Sequence, residues 1–327
     1  MKCVSRTVPS ASVLSVRHVL DLDEFSLADI ELVLDTASSM LEVLRRPIRR
    51  VPALRGKTMV NLFYEASTRT RVSFELAAKS LSADVVNVSA SGSSVEKGES
   101  IGDTVKTLEA LGADTIVIRH SASGAPYLAA EHTNATVINA GDGWHAHPTQ
   151  ALLDLYTLRQ RFGRLAGLRV VIVGDILHSR VARSNIWGLS RVGASVTICA
   201  PHTLLPVGIG DGHCGGLPRL EVTSDLDRAI VDADAVMALR MQSERQASGM
   251  VPSLREYIRR YQITNDRLER ARSNALVMHP GPMNEGVEIA PDVAHGARSV
   301  IQDQVTNGVA IRMALLYLLH GDANGTI

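Results

Sequence analysis

Cysteine is scarce in this 327-residue chain, which carries Cys3, Cys199 and Cys214. The number is odd, and neither a CxxC spacing nor a nearby histidine cluster accompanies these residues. A disulfide framework or a zinc site is therefore not expected.

The chain also lacks long apolar runs and an excess of either charge. No run of about eighteen apolar residues, the length a membrane span requires, occurs, and the first residues carry scattered charges without a continuous apolar segment. Lys plus Arg equals Asp plus Glu at 34 each, so no global field favours nucleic acid or an anionic membrane. We predict a cytoplasmic protein that binds neither, and any anion site must be built from local arginines.

Length and pattern indicate two domains. The chain exceeds the size at which one hydrophobic core usually continues to grow, and 45% hydrophobic with 21% charged residues is typical of a globular enzyme. A helical pattern at 26–44 begins with a Ser26–Asp29 capping box. Two series of short apolar runs and helical patterns follow, one over 58–161 and one from Leu168 onward.

This alternation predicts an α/β fold of two domains, each a parallel β-sheet flanked by helices. The predicted domains are 1–148 and 149–302, joined by the helix that follows Pro148. The C-terminal helix, in 303–327, is expected to pack back on the first domain.

The strongest local signal is a run of hydroxyls and guanidinium groups between a strand and a helix. The run is Ser67-Thr68-Arg69-Thr70-Arg71. A Ser-Thr-Arg triplet is commonly an ordinary helix cap with exposed arginines. Two arginines and two threonines at one helix N-terminus, where backbone N–H groups and the helix dipole favour an anion, indicate a phosphate site instead.

Further polar groups follow other predicted strands. They are Arg119, His147 and Gln150, Arg180, Arg240 and Gln242, and His279-Pro280-Gly281-Pro282. Open α/β sheets bind ligands outside the carboxyl ends of their strands, whereas a single arginine there is more often a surface ion-pair partner. Their recurrence at several strand ends favours one anion-binding site. His145 and His147 lack a third convergent ligand, so no metal is predicted, and the strand ending at Asp175 lacks the G-x-G-x-x-G of dinucleotide folds.

Together these motifs resemble the aspartate/ornithine carbamoyltransferase family over nearly the whole chain. The family signature stands intact as Phe63-Tyr64-Glu65-Ala66-Ser67-Thr68-Arg69-Thr70-Arg71. The aspartate branch is indicated by His147-Pro148-Thr149-Gln150, by Leu239-Arg240-Met241-Gln242 with Glu244-Arg245, and by His279-Pro280-Gly281-Pro282. The HPCQ, D-x-x-x-S-M-G and HCLP segments typical of ornithine enzymes do not occur. The resemblance implies transfer of a carbamoyl group from carbamoyl phosphate to the amine of L-aspartate, in de novo pyrimidine biosynthesis, without a cofactor.

The resemblance also implies a role for each site residue. Arg69, Thr70, Arg119 and His147 are the expected catalytic residues. Carbamoyl phosphate is expected to contact Ser67, Thr68, Arg69, Thr70, Arg119, His147, Gln150, Pro280 and Gly281. L-Aspartate is expected to contact Lys97, Arg180, Arg240, Gln242, Gly281 and Pro282.

The loop 93–99 resembles a family loop that a neighbouring subunit inserts into the site, which implies a homotrimer with shared active sites. Lys97 matches the family loop, and Ser94 is its companion. The resemblance leaves open whether regulatory or dihydroorotase-like subunits associate with the trimer. Three other interpretations remain: a transcarbamylase for a different amine, a silent homologue, and a nicotinamide-dependent dehydrogenase.

Overall fold

The computed structural model describes residues 13–89, 98–211, 216–242 and 250–320. The strands are β1 Thr58–Phe63, β2 Asp84–Ser89, β3 Thr115–His120, β4 Thr136–Asp142, β5 Arg169–Val173, β6 Ser195–Cys199, β7 Glu221–Thr223, β8 Ala235–Ala238 and β9 Leu276–Met278. The α-helices are α1 Leu27–Arg45, α2 Thr68–Ser80, α3 Ile101–Ala110, α4 Ala125–Glu131, α5 Pro148–Phe162, α6 Arg180–Arg191, α7 Leu226–Ala229, α8 Leu254–Tyr261, α9 Asn265–Leu268, α10 Pro291–Ala294 and α11 Ile301–His320.

The strands form two parallel sheets, which confirms the predicted fold class. The four-stranded sheet has the order β2-β1-β3-β4, and the five-stranded sheet has the order β7-β6-β5-β8-β9. In each sheet the chain first builds outward on one side and then returns to the other side of its first strand. The strand order therefore reverses between β1 and β3 and again between β5 and β8. Ligands of open α/β sheets bind at such switch points, outside the carboxyl ends of the strands.

Helices cover both faces of the first sheet, because the sheet strands carry apolar side chains on both sides. Met59 and Val117 share a cluster with Phe74 of α2. Val60 and Ile116 form a second cluster with Val105 of α3. Such apolar side chains on both faces are what parallel strands require when they are covered on both sides.

Two helices connect the two halves of the structure. α5 contacts both β4 and α6, and α11 contacts β9 at one end and packs along α1, α2 and α5. The exact boundary between the domains stays a prediction. The first helix is capped as its sequence predicts, because Ser26 and Asp29 form the full capping box. No helix in the described ranges combines the length and the apolar character that crossing a membrane requires.

Candidate active site

The switch point of the first sheet carries the predicted phosphate-binding segment and Arg119. Four residues separate the end of β1 at Phe63 from the start of α2 at Thr68, and Ser67 is the N-cap residue of α2. The Ser67 side chain forms no capping hydrogen bond in the described part of the chain, so the first backbone N–H groups of α2 remain available to an anion. Arg119 lies beside Phe63 in the parallel register of β1 and β3. Segment and guanidinium thus share one edge of the sheet.

The second sheet contributes Arg180 from its own switch point. α6 begins at Arg180 after β5, and Arg240 follows β8, the strand paired with β5 on the other side. Arg119 and Arg180 are both buried, at 9% and 6% exposure. The structure therefore brings one buried guanidinium from each sheet to the cleft between them.

Glu65 holds these two arginines together. Its Oε1 accepts hydrogen bonds from Arg119 Nη2 at 2.5 Å and from Arg180 Nη2 at 2.7 Å, and its Oε2 accepts from Arg180 Nη1 at 3.2 Å. The guanidinium groups also donate to main-chain oxygens, Arg119 to Ala140 and Arg180 to Gly143. The two guanidinium groups thus bind an anionic oxygen together, through charge-assisted hydrogen bonds.

Only glycine can occupy position 141 beside these arginines. A Cβ there would lie 3.0 Å from Arg119 Nη1 and 3.0 Å from Arg180 Cζ, and the backbone φ is +114°. The absence of a side chain lets both guanidiniums lie against the backbone at the end of β4.

Arg69 connects the phosphate segment to the loop after β9. Its Nη1 donates to the Pro280 carbonyl at 2.9 Å. A Cβ on Gly281 would lie 1.6 Å from that nitrogen, and Gly281 has φ +66°. The loop 279–282 and the N-terminus of α2 are thus fitted to each other.

His147 is the N-cap residue of α5 and is buried in the same region, at 5% exposure. Its backbone N–H donates to Ser184 Oγ at 2.9 Å, and its Nδ1 has no hydrogen-bond partner among the described residues. Burial lowers the pKa of His147 well below the ordinary value, and the positive charges of Arg119, Arg180 and Arg312 act in the same direction. A neutral ring in this position can donate one hydrogen bond to a substrate oxygen.

Gln242, after β8, belongs to a second polar group near Arg180. Its Nε2 donates to the His178 carbonyl at 3.0 Å and its N–H to Asp175 Oδ2 at 3.4 Å. Arg240 is half-buried in the same stretch. The predicted residues Ser94, Lys97, Glu244 and Arg245 lie outside the described residues.

Sequence reasoning missed several residues that hold this site. Glu65 lies inside the quoted signature but was given no role. Asp154 accepts a hydrogen bond from Gln150 and a second one from Gln304. Arg312 donates to Ser73 Oγ at 2.8 Å and to Thr149 Oγ1 at 3.4 Å. A charged residue in the apolar pattern of α11 was the available signal for Arg312, since fully buried arginines are rare without a specific partner.

Fold and site together define a two-sheet parallel α/β protein in which arginines from the switch points of both sheets meet on one carboxylate. The first half, residues 17–160, matches the family model described as aspartate/ornithine carbamoyltransferase, carbamoyl-P binding domain, and residues 166–319 match the Asp/Orn binding domain of the same family. The chain belongs to the aspartate/ornithine carbamoyltransferase family.

The chain is similar to aspartate carbamoyltransferases both in sequence and in structure. The chain is 66% identical to the aspartate carbamoyltransferase catalytic subunit of Roseiflexus sp. strain RS-1, over 94% of this chain and 96% of that protein. It is 62% identical to the protein of the same name from Chloroflexus aurantiacus strain J-10-fl, over 93% of this chain and 98% of that one. The structure resembles aspartate transcarbamoylase from Trypanosoma cruzi in complex with carbamoyl phosphate and aspartate, with TM-score 0.83, 30% identity and coverage of 94% and 96%.

An ornithine carbamoyltransferase, from Pyrococcus furiosus, matches with the same TM-score of 0.83, at 29% identity and coverage of 94% and 97%. Overall shape therefore does not distinguish the two branches of the family.

The environments of two neighbouring histidines generate a pH prediction. The hydrogen bond from His145 Nδ1 to Asp142 Oδ2, at 3.2 Å, raises the pKa of His145, whereas burial lowers the pKa of His147. In a labelled sample followed by NMR, His145 is expected to titrate above the ordinary histidine range and His147 below it. Because the pKa of His147 is lower in the folded state, the unfolded state takes up a proton at a higher pH, and His147 lowers the free energy of unfolding below the ordinary histidine pKa. His145, whose pKa is raised by folding, increases the free energy of unfolding as the pH falls through its folded-state pKa. A common titration of both rings would contradict the assignment.

Proposed function

We propose that this protein transfers the carbamoyl group of carbamoyl phosphate to the amine of L-aspartate, giving N-carbamoyl-L-aspartate and phosphate, as a step of de novo pyrimidine biosynthesis in the cytoplasm. The observation that carries the proposal is the convergence of Arg119 and Arg180 on one carboxylate. Each arginine comes from a different sheet, so one cleft can hold two anionic substrates side by side.

The proposed division of the cleft follows from where each group lies. Carbamoyl phosphate takes the first-sheet side, with its phosphate at the N-terminus of α2 near Ser67, Thr68, Arg69 and Thr70. Its carbamoyl amide takes Gln150 and the loop at Pro280 and Gly281. L-Aspartate takes the second-sheet side, with its α-carboxylate at Arg180 and its β-carboxylate at Arg240 and Gln242. Gly281 and Pro282 line its approach.

In the reaction, the neutral amine of aspartate attacks the carbonyl carbon of carbamoyl phosphate. A C–N bond forms, the bond from carbon to the bridging oxygen breaks, and negative charge develops on the carbonyl oxygen. Arg119, Thr70 and the neutral His147 stabilise that charge as hydrogen-bond donors. The amine proton leaves with the phosphate, which departs into the electropositive N-terminus of α2. Holding both substrates in attack geometry supplies much of the rate.

Glu65 occupies groups that the substrates need in this scheme, so it competes with substrate binding. Its carboxylate occupies the hydrogen-bonding faces of Arg119 and Arg180 that substrate oxygens require. Substrate anions must therefore compete with an internal carboxylate, and each arginine exchanges one negative partner for another without being left buried and unpaired.

Carbamoyl transfer is tested by measuring phosphate release from carbamoyl phosphate with L-aspartate and, separately, with L-ornithine. The expected result is turnover with aspartate and only background release with ornithine, because Arg240 and Gln242 suit a second carboxylate and not an ammonium group. Turnover with ornithine alone would overturn the proposed substrate, and no release with either would overturn the proposed reaction.

The proposed contact between Arg240 and the β-carboxylate of aspartate predicts a loss of kcat/KM for aspartate when Arg240 is removed. Arg240→Ala is expected to cost about 3–5 kcal/mol in kcat/KM for aspartate, because the carboxylate would enter the cleft without its charged partner. The KM for carbamoyl phosphate should change little. Arg260→Ala is the matched control, since Arg260 is an exposed arginine of the same half that pairs with Glu256. Normal aspartate kinetics in Arg240→Ala, with weakened carbamoyl phosphate binding, would reverse the assignment.

The proposed homotrimer shares its active sites between subunits. β2 is the edge strand of the first sheet and leads directly into the segment 90–97. Beside it, α2 exposes Val72 and Leu76, β2 exposes Val86, and Asn87 Nδ2 of β2 donates to Glu75 Oε2 of α2 at 3.1 Å. An exposed edge strand next to apolar helix residues is typical of a surface that another protein covers. We assign this surface to the neighbouring subunit that receives Ser94 and Lys97.

Sharing of sites is tested by mixing two inactive variants, Arg69→Ala and Lys97→Ala, under conditions in which subunits exchange. If Arg69 and Lys97 of one site come from different chains, some mixed interfaces regain both wild-type groups, and activity should rise well above either parent. A mixture of Arg69→Ala with Thr70→Ala is the control, because both groups lie on one helix and no mixed site becomes intact. Exchange without recovery in the first mixture would place Lys97 in its own chain.

A further inference from the structure

Asp154 is a fully buried carboxylate on α5, one helical turn beyond Gln150. Its Oδ1 accepts from Gln150 Nε2 at 3.0 Å and from Gln304 Nε2 at 2.7 Å, and its Oδ2 accepts from Asn185 Nδ2 at 2.8 Å. Side-chain amides from α5, α6 and α11 thus meet at one carboxylate that is 0% exposed.

The carboxylate determines which way the Gln150 amide points. An ionised carboxylate can only accept hydrogen bonds, so the Gln150 nitrogen must face Asp154. The oxygen of the same amide, Oε1, is then the atom left for the cleft. Gln304 is fixed in the same way, because its nitrogen faces Asp154 and its Oε1 accepts from the His279 backbone N–H at 3.0 Å.

Through Gln304 the same carboxylate is connected to the loop after β9. His279 Nδ1 accepts from the Gly281 N–H at 2.8 Å, so its Nε2 carries the proton and donates to Glu288 Oε1 at 3.1 Å. Arg69 holds the next carbonyl, that of Pro280. The Gln150 amide and the His279 backbone N–H are therefore joined by one connected set of buried hydrogen bonds through Asp154 and Gln304.

We propose that Asp154 is a positioning residue that makes the site select a carbamoyl group, by holding Gln150 with its amide oxygen toward the substrate nitrogen. The inference rests on the proposed function and names a residue that sets its donor specificity. A carbamoyl NH₂ donates hydrogen bonds to such an acceptor, whereas the methyl group of an acetyl group has similar size and donates none. A site built to pair with a donor discriminates against an analogue that lacks it, because the buried acceptor is left unpaired.

The acceptor role belongs to the ionised form of Asp154. Burial raises the pKa of the Asp154 carboxyl to about 7, and the hydrogen bonds from Asn185, Gln304 and Gln150 and the charge of Arg312 act in the opposite direction. Arg312 is itself buried, with its pKa lowered to about 10 by burial. These amides and this guanidinium offset part of the penalty of burying the carboxylate, and the ionised form dominates above a pH of about 7.

The test is Asp154→Asn, with the KM for carbamoyl phosphate and the inhibition constant of acetyl phosphate measured side by side. The introduced amide can present a nitrogen to Gln150, which lets the Gln150 amide turn over. The KM for carbamoyl phosphate should rise about tenfold or more, while the inhibition constant of acetyl phosphate stays at its wild-type value. A merely structural role would weaken both ligands together, and that result would overturn the inference.

Controls separate this inference from the function on which it rests. Asp234→Asn removes another buried carboxylate, one bound to Arg272 and the Arg169 N–H away from the cleft, and should leave the ratio of the two constants unchanged. In a Gln150→Ala background, Asp154→Asn should add no further loss for carbamoyl phosphate. If the wild-type protein does not carbamoylate aspartate, the proposed function is wrong. If the wild-type protein does so and folded Asp154→Asn keeps the wild-type ratio of the KM for carbamoyl phosphate to the inhibition constant of acetyl phosphate, only the positioning role is wrong.

Should Asp154→Asn fail to fold, Asp154→Ala serves as the second variant. It removes the acceptor that holds the Gln150 nitrogen and adds neither bulk nor a competing donor. The same selective rise in the KM for carbamoyl phosphate is expected, and equal changes for both phosphates would contradict the proposal.

Discussion

The cleft depends on the ion pairs that the Glu65 carboxylate forms with Arg119 and Arg180. Two buried guanidinium groups that belong to different sheets repel each other, and an anion that lies between them offsets this repulsion. Glu65 provides that anion from the loop after β1, and Gly141 provides the space beside it. The same pair of arginines is thereby kept desolvated and oriented, which is the preparation that electrostatic catalysis requires. His147 lies close enough to both arginines for their charges to help lower its pKa.

Much of the fold could be predicted because its signals are local. The capping box at Ser26 and Asp29, the alternation of apolar runs with helical patterns, and the polar groups placed just after strands are each written within a few residues. Parallel strands bring their carboxyl ends to one edge, so residues such as Arg119 and Arg180 could be assigned to a common site before their distance was known.

The contacts that hold the site were harder to predict, because they join residues far apart in the chain. Glu65 and Arg180 are separated by 115 positions, and Arg312 and Ser73 by 239. Nothing near Asp154 in the sequence indicates that three amides will surround it, since two of them come from α6 and α11. Residue type and spacing identify groups that can bind an anion, whereas the buried groups that orient them depend on the complete packing of helices on sheets.

The two helical connections between the sheets have a mechanical consequence. α5 carries the chain from the first sheet to the second, and α11 carries it back. Two crossings restrain the relative motion of the halves more than one crossing would, because a rigid rotation that leaves both connections unstretched must take place about the line that joins them. Arg119 and Arg180 stand on opposite sides of the boundary between the two sheets, so their separation is a distance that such a rotation would change.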